Sequence, residues 1–561
     1  MVSTDRLERL ADRTLRGSDD SHAPTGLVLL AGAIAAAVLS PGLWIVLRAF
    51  DLDVVLRQAP GRALGATLGA VVGNVAGGIQ MLAQPSMLEV LFNSVLLAGT
   101  VTVASVLLGV PLAVLTVQTD LPFSRAWTVL VSLPLVIPSY IGAFAFVSAF
   151  GPKGALADAL APLGIASLPP IYGFAGAALV LTLFVYPYVF ITTRASLLSF
   201  DTTLMEAART LDHTRWQAFR RVTLPQIAPG VAAGALLVAL YTISDFGTPA
   251  IMHFDVFTRM IYVRYTNFLR DSAALLSMEL LAVTLVILAI ESRIGGGNRR
   301  NYAGGGMGAS VQIRLGKWKL PALAFCVLVV LLCLGIPLGV LFMWLARTGP
   351  GYETGSLTFD VAYGWHSVYA SALTALGATL VAVPVAYLSA RYRSTLSTLF
   401  DRATYIGYAM PGVVLGLSLV FFGVRYAPFL YQTLPLLIFA YVVRFLPQAV
   451  GSTRSSVLQV DPKLTEAART LGTSHLAAFR RVTLPLIAPG VVAGAALVFL
   501  TTMKELPATL LLHPTGFRTL VSYIWLVQSA GYYGKAALPA LILVGISALS
   551  MGVILARERN V

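Results

Sequence analysis

The chain has 561 residues, 57% of them hydrophobic and only 11% charged, with a mean hydropathy of +0.80. A soluble chain carries about a quarter charged residues, so a soluble globular protein is excluded. Hydrocarbon leaves no partner for an open backbone, so a polytopic protein of helical spans is predicted. The net charge of +14 raises nucleic acid as a partner. Sorted along the predicted topology, however, 26 of the 39 Lys and Arg fall on the side of the N-terminus and 11 on the other. The remaining two, Arg444 and Lys504, lie in or near spans. This is the bias that keeps basic loops inside. It predicts N- and C-termini on the inner side, with lipid rather than nucleic acid as the surrounding partner.

Residues 1–25, with Arg6, Arg9, Arg13 and Arg16 among several acids, form a polar inner tail. The apolar run that follows starts too late and extends too far for a cleaved signal, so it reads as a retained span. Twelve runs of span length, about 20 residues each, are predicted. In residues 26–294 they start near Gly26, Val90, Ala126, Tyr172, Pro229 and Ala273. In residues 317–561 they start near Lys319, Tyr363, Ala403, Leu434, Pro489 and Ala537. Residues 62–83 are small and weakly apolar and read as amphipathic or loop material on the outer side rather than a thirteenth span. The glycine density of "GGGNRRNYAGGGMG" within 295–316 suits a flexible cytoplasmic linker. Cys326 and Cys333 share the seventh run and read as packing residues. His22, His213, His253, His366, His475 and His513 form no ligand cluster, so neither a bound metal nor a cofactor is expected.

The chain repeats itself in parallel, six spans followed by six. Ser94–Pro111 aligns with Ser367–Pro384 at 5 of 18 positions, and Pro138 pairs with Pro411, Pro187 with Pro447 and Arg194 with Arg454. The core repeats cover about 90–291 and 362–557, and Gly151–Pro170 holds the 13 extra residues of the first. One polar passage has drifted far less. Glu206–Gly230, "EAARTLDHTRWQAFRRVTLPQIAPG", and Glu466–Gly490, "EAARTLGTSHLAAFRRVTLPLIAPG", agree at 18 of 25 positions. A surface loop without a partner drifts at least as readily as a lipid-facing span. Both copies, within 201–230 and 461–490, are therefore expected to fit one external shape.

Asp461-Pro462 opens a helix with an N-cap and a proline at the first helical position. Gly472 is placed to end that helix in the left-handed conformation, and Ser474 caps a second short helix. Glu466, Ala467 and Ala468, then Gly472 and a spaced Leu-Pro pair, resemble the signature loop of binding-protein-dependent ABC importer permeases. Glu206, Ala207 and Ala208 match in the first copy, where Asp212 replaces the glycine; Asp tolerates left-handed backbone better than most residues. The resemblance implies a type I ABC importer permease fold: all-α, with about 12 transmembrane helices in two parallel six-helix repeats. It also implies that each loop is a coupling helix received by a cytoplasmic ATPase. Two similar loops imply a homodimeric ATPase, and an extracytoplasmic substrate-binding protein delivers the cargo. The chain carries no G-x-x-x-x-G-K-[ST] phosphate loop, so it is expected to be a transport subunit rather than an enzyme, with ATP hydrolysed by the partner.

The fifth span of each repeat ends in polar residues, "TISDFGTPA" and "TTMKELPAT". At about 1.5 Å per residue, Asp245, Lys504 and Glu505 lie about 24 Å along, toward the outer end of a core about 30 Å thick. Two readings stand: a gate below the docked binding protein, or interfacial charge including a snorkelling Lys504–Glu505 pair. Arg444 either lines the path or pins the tenth span to a neighbour. Pro138 and Pro411 are placed either to kink the third and ninth spans and free carbonyls toward a pathway, or to serve helix packing alone. The fused length, with "SDFGTPAIMHFDVFTRMIYVRY" and "KELPATLLLHPTGFRTLVSYIW", resembles iron(III) importer permeases. Fused thiamine permeases share the architecture, so thiamine or another small solute is the alternative cargo. A twelve-span secondary transporter is the rival of a different class, but it leaves the repeated passages unexplained.

Overall fold

The structure is a computed structural model that describes residues 24–59, 64–151, 171–199, 217, 219–296, 313–347, 357–392 and 394–558. Among the described residues it is helical, the one extended pairing being a parallel bridge between Thr119 and Ile313. The first repeat comprises α1 (Thr25–Ala49), α2 (Leu52–Gln58), α3 (Leu64–Leu82), α4 (Pro85–Gln118), α5 (Ser124–Ser132), α6 (Ser139–Phe150), α7 (Phe174–Leu198), α8 (Leu224–Ser244), α9 (Gly247–Ile251), α10 (Phe257–Thr266) and α11 (Arg270–Gly296). The second comprises α12 (Lys319–Val330), α13 (Ile336–Arg347), α14 (Ala362–Arg391), α15 (Thr395–Ala409), α16 (Gly412–Arg425), α17 (Leu434–Gln459), α18 (Pro462–Thr470), α19 (His475–Ala478), α20 (Leu484–Met503), α21 (Pro507–Leu512), α22 (Leu520–Ser529) and α23 (Tyr533–Glu558).

Ten described helices are long and apolar enough to cross a membrane, or up to twelve when each of two bent pairs is taken as one span. The membership differs from the sequence expectation at four places, one being the run near Ala537, whose apolar stretch Tyr533–Leu549 falls short of span length among the described residues. Residues expected to be amphipathic or loop material at 62–83 form α3, whose Leu, Val and Ala content outweighs its glycines and brings it to span length and hydropathy. The third and ninth runs are not straight spans. They turn by 91° between Ser124–Val136 and Ser139–Phe150, and by 99° between Thr395–Ala409 and Gly412–Arg425. Pro138 and Pro411 stand at the two breaks, each in extended backbone, because proline lacks the N–H and its ring crowds the preceding turn.

The chain divides into two compact units. The smaller takes residues up to Ser40, Ala375–Tyr408 and Phe445–Val498. In it α17 and α20 cross at Gly490 and Gly494: a Cβ on Gly490 would stand 2.7 Å from Ser456 Cβ and 3.1 Å from Ser452 O. Ser452 Oγ donates to Gly490 O at 2.8 Å across the same crossing. The larger unit takes Pro41–Thr374, Ala409–Arg444 and Phe499–Val561. There α7 and α8 cross in the same way: a Cβ on Gly230 would meet Ser196 Cβ and Thr192 O, each at 3.0 Å. In hydrocarbon, helices associate through close packing of small residues rather than through the hydrophobic effect, which accounts for glycine at both crossings. Gly230→Leu and Gly490→Leu are each expected to lower stability by about 1–3 kcal/mol through overpacking. An unchanged melting temperature in detergent would rule out these crossings.

Within the larger unit, the first helix of each repeat lies against the other repeat. Trp44 of α1 packs on Phe422 and Tyr426 with ring centroids 5.1 and 4.6 Å away, and Asp53 pairs with Arg425 at 3.4 Å. The Ser418 hydroxyl donates to Pro41 O. Conversely, Cys326 and Cys333 are free thiols buried among first-repeat side chains, as packing residues should be. Trp344 of α13 donates to the Ser148 hydroxyl of α6.

The chain leaving the glycine-rich segment is tied to the loop after α4. Ile313 N donates to Gln118 O at 2.7 Å, and Asp120 N donates to Ile313 O at 3.2 Å. The Asp120 carboxylate accepts from Leu315 N at 2.8 Å and pairs with Lys319 Nζ at 2.9 Å. The Leu315 amide, and after it the Lys319 ammonium, hold the Asp120 carboxyl below its ordinary 3.8. A depressed carboxyl stabilises this tie above the ordinary value, and the contribution is lost as pH falls through the lowered one. After correction for intrinsic rates, amide exchange at residues 313–315 is expected to stay slow at neutral pH and to accelerate only in acid below 3.8. An Asp120→Asn variant should show no such step, and a step that persists in it would refute the assignment.

Candidate functional site

The second repeated passage folds as its residues dictate. Asp461 caps α18 by accepting from Lys463 N at 3.0 Å, with Pro462 at the first helical position. Gly472 ends the helix at φ +87°, its N–H donating to Arg469 O at 2.9 Å. Ser474 caps α19 by accepting from Ala477 N at 3.3 Å. Phe479–Thr483, "FRRVT", forms a π turn leading into α20, and the Thr465 and Thr483 hydroxyls, 3.1 Å apart, tie α18 to that turn. Glu466, Ala467 and Gly472 are exposed and Ala468 is half-exposed. Leu464, Leu471 and Leu476 stand out into solvent, Leu471 at 85% exposure. In the first passage Glu206, Ala207, Ala208 and Asp212 lie outside the described residues. Its described end, Phe219–Thr223, is again "FRRVT" and again a π turn.

The charged residues past α8 and α20 are brought together in the larger unit, Glu505 buried and Asp245 and Lys504 half-buried. In the first repeat the Asp245 carboxylate accepts from Ser139 Oγ at 2.7 Å and from Thr248 N at 3.0 Å, capping the short helix α9. Tyr241 OH donates to Ser139 Oγ at 3.2 Å. In the second repeat Glu505 does the same for α21, accepting from Ala508 N at 3.2 Å. Its other oxygen pairs with Arg444 Nε at 3.2 Å, and these side chains are only 16% and 7% exposed for Arg444 and Glu505.

The expected Lys504–Glu505 pair does not form. Neighbouring residues leave the chain in different directions, and Lys504 Nζ instead donates to Leu135 O at 3.0 Å. Arg444 Nη1 donates to Met410 O at 3.2 Å. Leu135 lies three residues before Pro138 and Met410 directly before Pro411, and at each break the turn of the chain withdraws the amide that would otherwise satisfy the carbonyl. The breaks therefore create two acceptors, and the two cations of the second repeat occupy them. Arg444 of α17 is thus bonded to Met410 O and paired with Glu505, while Asp245 and Lys504 take their partners, Ser139 Oγ and Leu135 O, from the first repeat.

Sequence reasoning passed over Ser139, Tyr140 and Tyr241. The signal was present in the alignment of Pro138 with Pro411, since the residue following each proline lies at this junction: Ser139 on Asp245, and Gly412 against Glu505 and Arg444. A Cβ at Gly412 would come within 2.9 Å of Arg444 Nη1, so glycine leaves room there for the ion pair.

Residues 105–348 and 382–561 match the family described as binding-protein-dependent transport system inner membrane component. The chain belongs to this family. This binding-protein-dependent permease is similar to an Fe(3+)-transport system permease protein of Haemophilus influenzae, FbpB 2, at 30% identity over 94% of this chain and 97% of the relative. It is 26% identical to a probable ABC transporter permease protein of Sinorhizobium fredii, y4fN, over 84% of this chain and 87% of the relative. A ferric transport system permease protein of Actinobacillus pleuropneumoniae, FbpB, is 25% identical over 82% and 69%. The family match in two segments fits a fused, all-helical permease of two repeats, a multi-pass membrane subunit that carries the transport path of an importer.

Proposed function

We propose that this permease imports iron(III), and that it is driven through its two repeated passages by a separate cytoplasmic ATPase, most simply a homodimer because the passages are so alike. The observation that carries the cargo is similarity at the full fused length to a permease named for Fe(3+) transport. The shape of the second passage supports the coupling: a capped helix, ended by a left-handed glycine, holds Glu466 and Ala467 outward beside exposed Leu464 and Leu471. A short amphipathic helix of this kind suits a groove on a partner.

In this reading Glu206, Ala207, Ala208 and Asp212 form the first coupling surface, and Glu466, Ala467, Ala468 and Gly472 the second. Both termini and the 295–316 linker are cytoplasmic. The chain is then a first half of 26–294 and a second of 317–561. An extracytoplasmic binding protein delivers cargo at the opposite face, above a gate formed by Asp245, Arg444, Lys504 and Glu505. Exposed Leu29, Leu107, Leu328 and Leu380 on the long helices suit contact with lipid.

The test is reconstitution with a cytoplasmic ABC ATPase and an extracytoplasmic binding protein from the same organism. Uptake of radiolabelled iron(III) into proteoliposomes is expected to require both proteins and ATP. Uptake driven by an ion gradient without ATPase would overturn the reading, and uptake of another solute in place of iron would overturn the cargo.

A further inference from the structure

Tyr140 is 5% exposed, yet its hydroxyl has no hydrogen-bond partner. A buried hydroxyl left unsatisfied is destabilising and calls for an explanation, a bound water or ion among them. The Tyr140 hydroxyl is not remote from polar groups. It lies within electrostatic range of both the Glu505 and the Asp245 carboxylates, one from each repeat. Its ring is admitted by Gly247 of α9, where a Cβ would crowd it at 3.1 Å from Tyr140 Cγ. Tyr140 follows the serine that donates to Asp245, its ring packs on α9, and Glu505 follows the lysine bound to Leu135 O, so the three oxygen-bearing side chains lie on elements that meet at this break.

We propose that the Tyr140 hydroxyl and the Asp245 and Glu505 carboxylates form a transient oxygen-donor site, shared by the two repeats, for a hard, highly charged cation in transit. The inference rests on the reading of iron(III) as cargo. Hard cations take oxygen ligands, and a tyrosine oxygen is an established iron ligand. Among the described residues there is no group of three or more His, Cys, Asp or Glu that could hold a metal. Two carboxylates and one phenol suit passage better than retention. The surrounding charges act in the same direction. Arg444 occupies Glu505, Lys504 occupies the Leu135 carbonyl, and Ser139 and the Thr248 amide occupy Asp245. With no ion present the two cations balance the two carboxylates. An arriving ion displaces Arg444 from Glu505, and Arg444 retains its bond to Met410 O. The returning guanidinium then helps to expel the ion, which keeps binding weak enough for release. Ser139 and Tyr241 orient Asp245 and are positioning residues.

The test uses Tyr140→Phe, which keeps the ring and removes only the hydroxyl, together with Asp245→Asn. The full complex with ATPase and iron-loaded binding protein is reconstituted in vesicles, and iron(III) uptake and ATP hydrolysis are measured in parallel. Each variant is expected to lower uptake about tenfold, the effect of losing one good ligand contact, while hydrolysis stays within about twofold. The melting temperature of Tyr140→Phe should rise, since an unsatisfied buried group has been removed. A merely structural tyrosine would give the opposite, a lower melting temperature. Uptake unchanged in Tyr140→Phe, or uptake and hydrolysis falling in step, overturns the site alone. Wild-type vesicles that hydrolyse ATP without taking up iron(III) overturn the cargo reading, and the ligand class of this site with it.

Discussion

Vesicles carrying a Glu466→Lys, Gly472→Val double variant are expected to lose ATP-driven import about tenfold or more, the effect of removing a contact at the centre of a docking surface. The variant should still insert and fold. Both halves of this expectation come from α18. Glu466 is exposed and makes no ion pair among the described residues, so its replacement removes nothing the permease itself relies on. Gly472 stands at φ +87° with nothing within 4 Å of where a Cβ would be. Valine there meets no neighbour but must adopt left-handed backbone at a cost of about 1–2 kcal/mol, and the strain is relieved by changing the turn between α18 and α19. The surface carrying Leu471 is then mispresented while the spans remain packed. Pull-down of the ATPase and uptake should fall together, with unaltered membrane extraction and melting temperature. The same changes at Glu206 and Asp212 are expected to act in the same direction and more weakly, since Asp212 already departs from glycine. Full ATPase binding and import in the Glu466→Lys, Gly472→Val protein would dispose of the coupling assignment.

Arg444→Ala is expected to destabilise the protein by about 3–5 kcal/mol, the usual effect of stranding one partner of a buried ion pair. Glu505 would keep the Ala508 amide but lose its only ion-pair partner among the described residues while remaining buried. Met410 O would lose a donor at a break where the helix supplies none. Arg444→Met combined with Glu505→Gln should recover most of the loss, because glutamine can still accept from Ala508 N and no charge is left unpaired. Asp245→Asn should cost less, about 0.5–1.5 kcal/mol, since its partners are a hydroxyl and an amide rather than a cation. Thermal unfolding of the single and double variants closes the cycle. A coupling energy near zero between Arg444 and Glu505 would mean that the pair carries no stability.

The charged residues in and beside the spans show why only part of this site was legible beforehand. Asp245, Arg444, Lys504 and Glu505 stood out because charge is rare in apolar runs, and all four do meet near the proline breaks. Their partners could not be read. Adjacency in sequence suggested a Lys504–Glu505 pair, whereas the fold sends Lys504 to a carbonyl 369 residues away in the chain. Ser139 and Tyr140 carry no charge and resemble ordinary span residues, so nothing local marked them.

The sequence by itself determined that the chain is a polytopic helical membrane protein, that it is built twice, and that one polar passage repeats at 18 of 25 positions. Composition, span-length hydropathy and internal alignment suffice for these, because each follows from the solvent the segment meets or from a chain read against itself. The local caps were equally legible: Asp461, Gly472 and Ser474 act within a few residues of their own backbone. Only the tertiary structure decided that two prolines turn their runs through about a right angle and expose Leu135 and Met410 carbonyls, that two cations take them, and that Tyr140 is left without a partner. Such pairings depend on which groups remain unsatisfied once every helix is packed, and a buried polar atom chooses its partner by geometry in space rather than by distance along the chain.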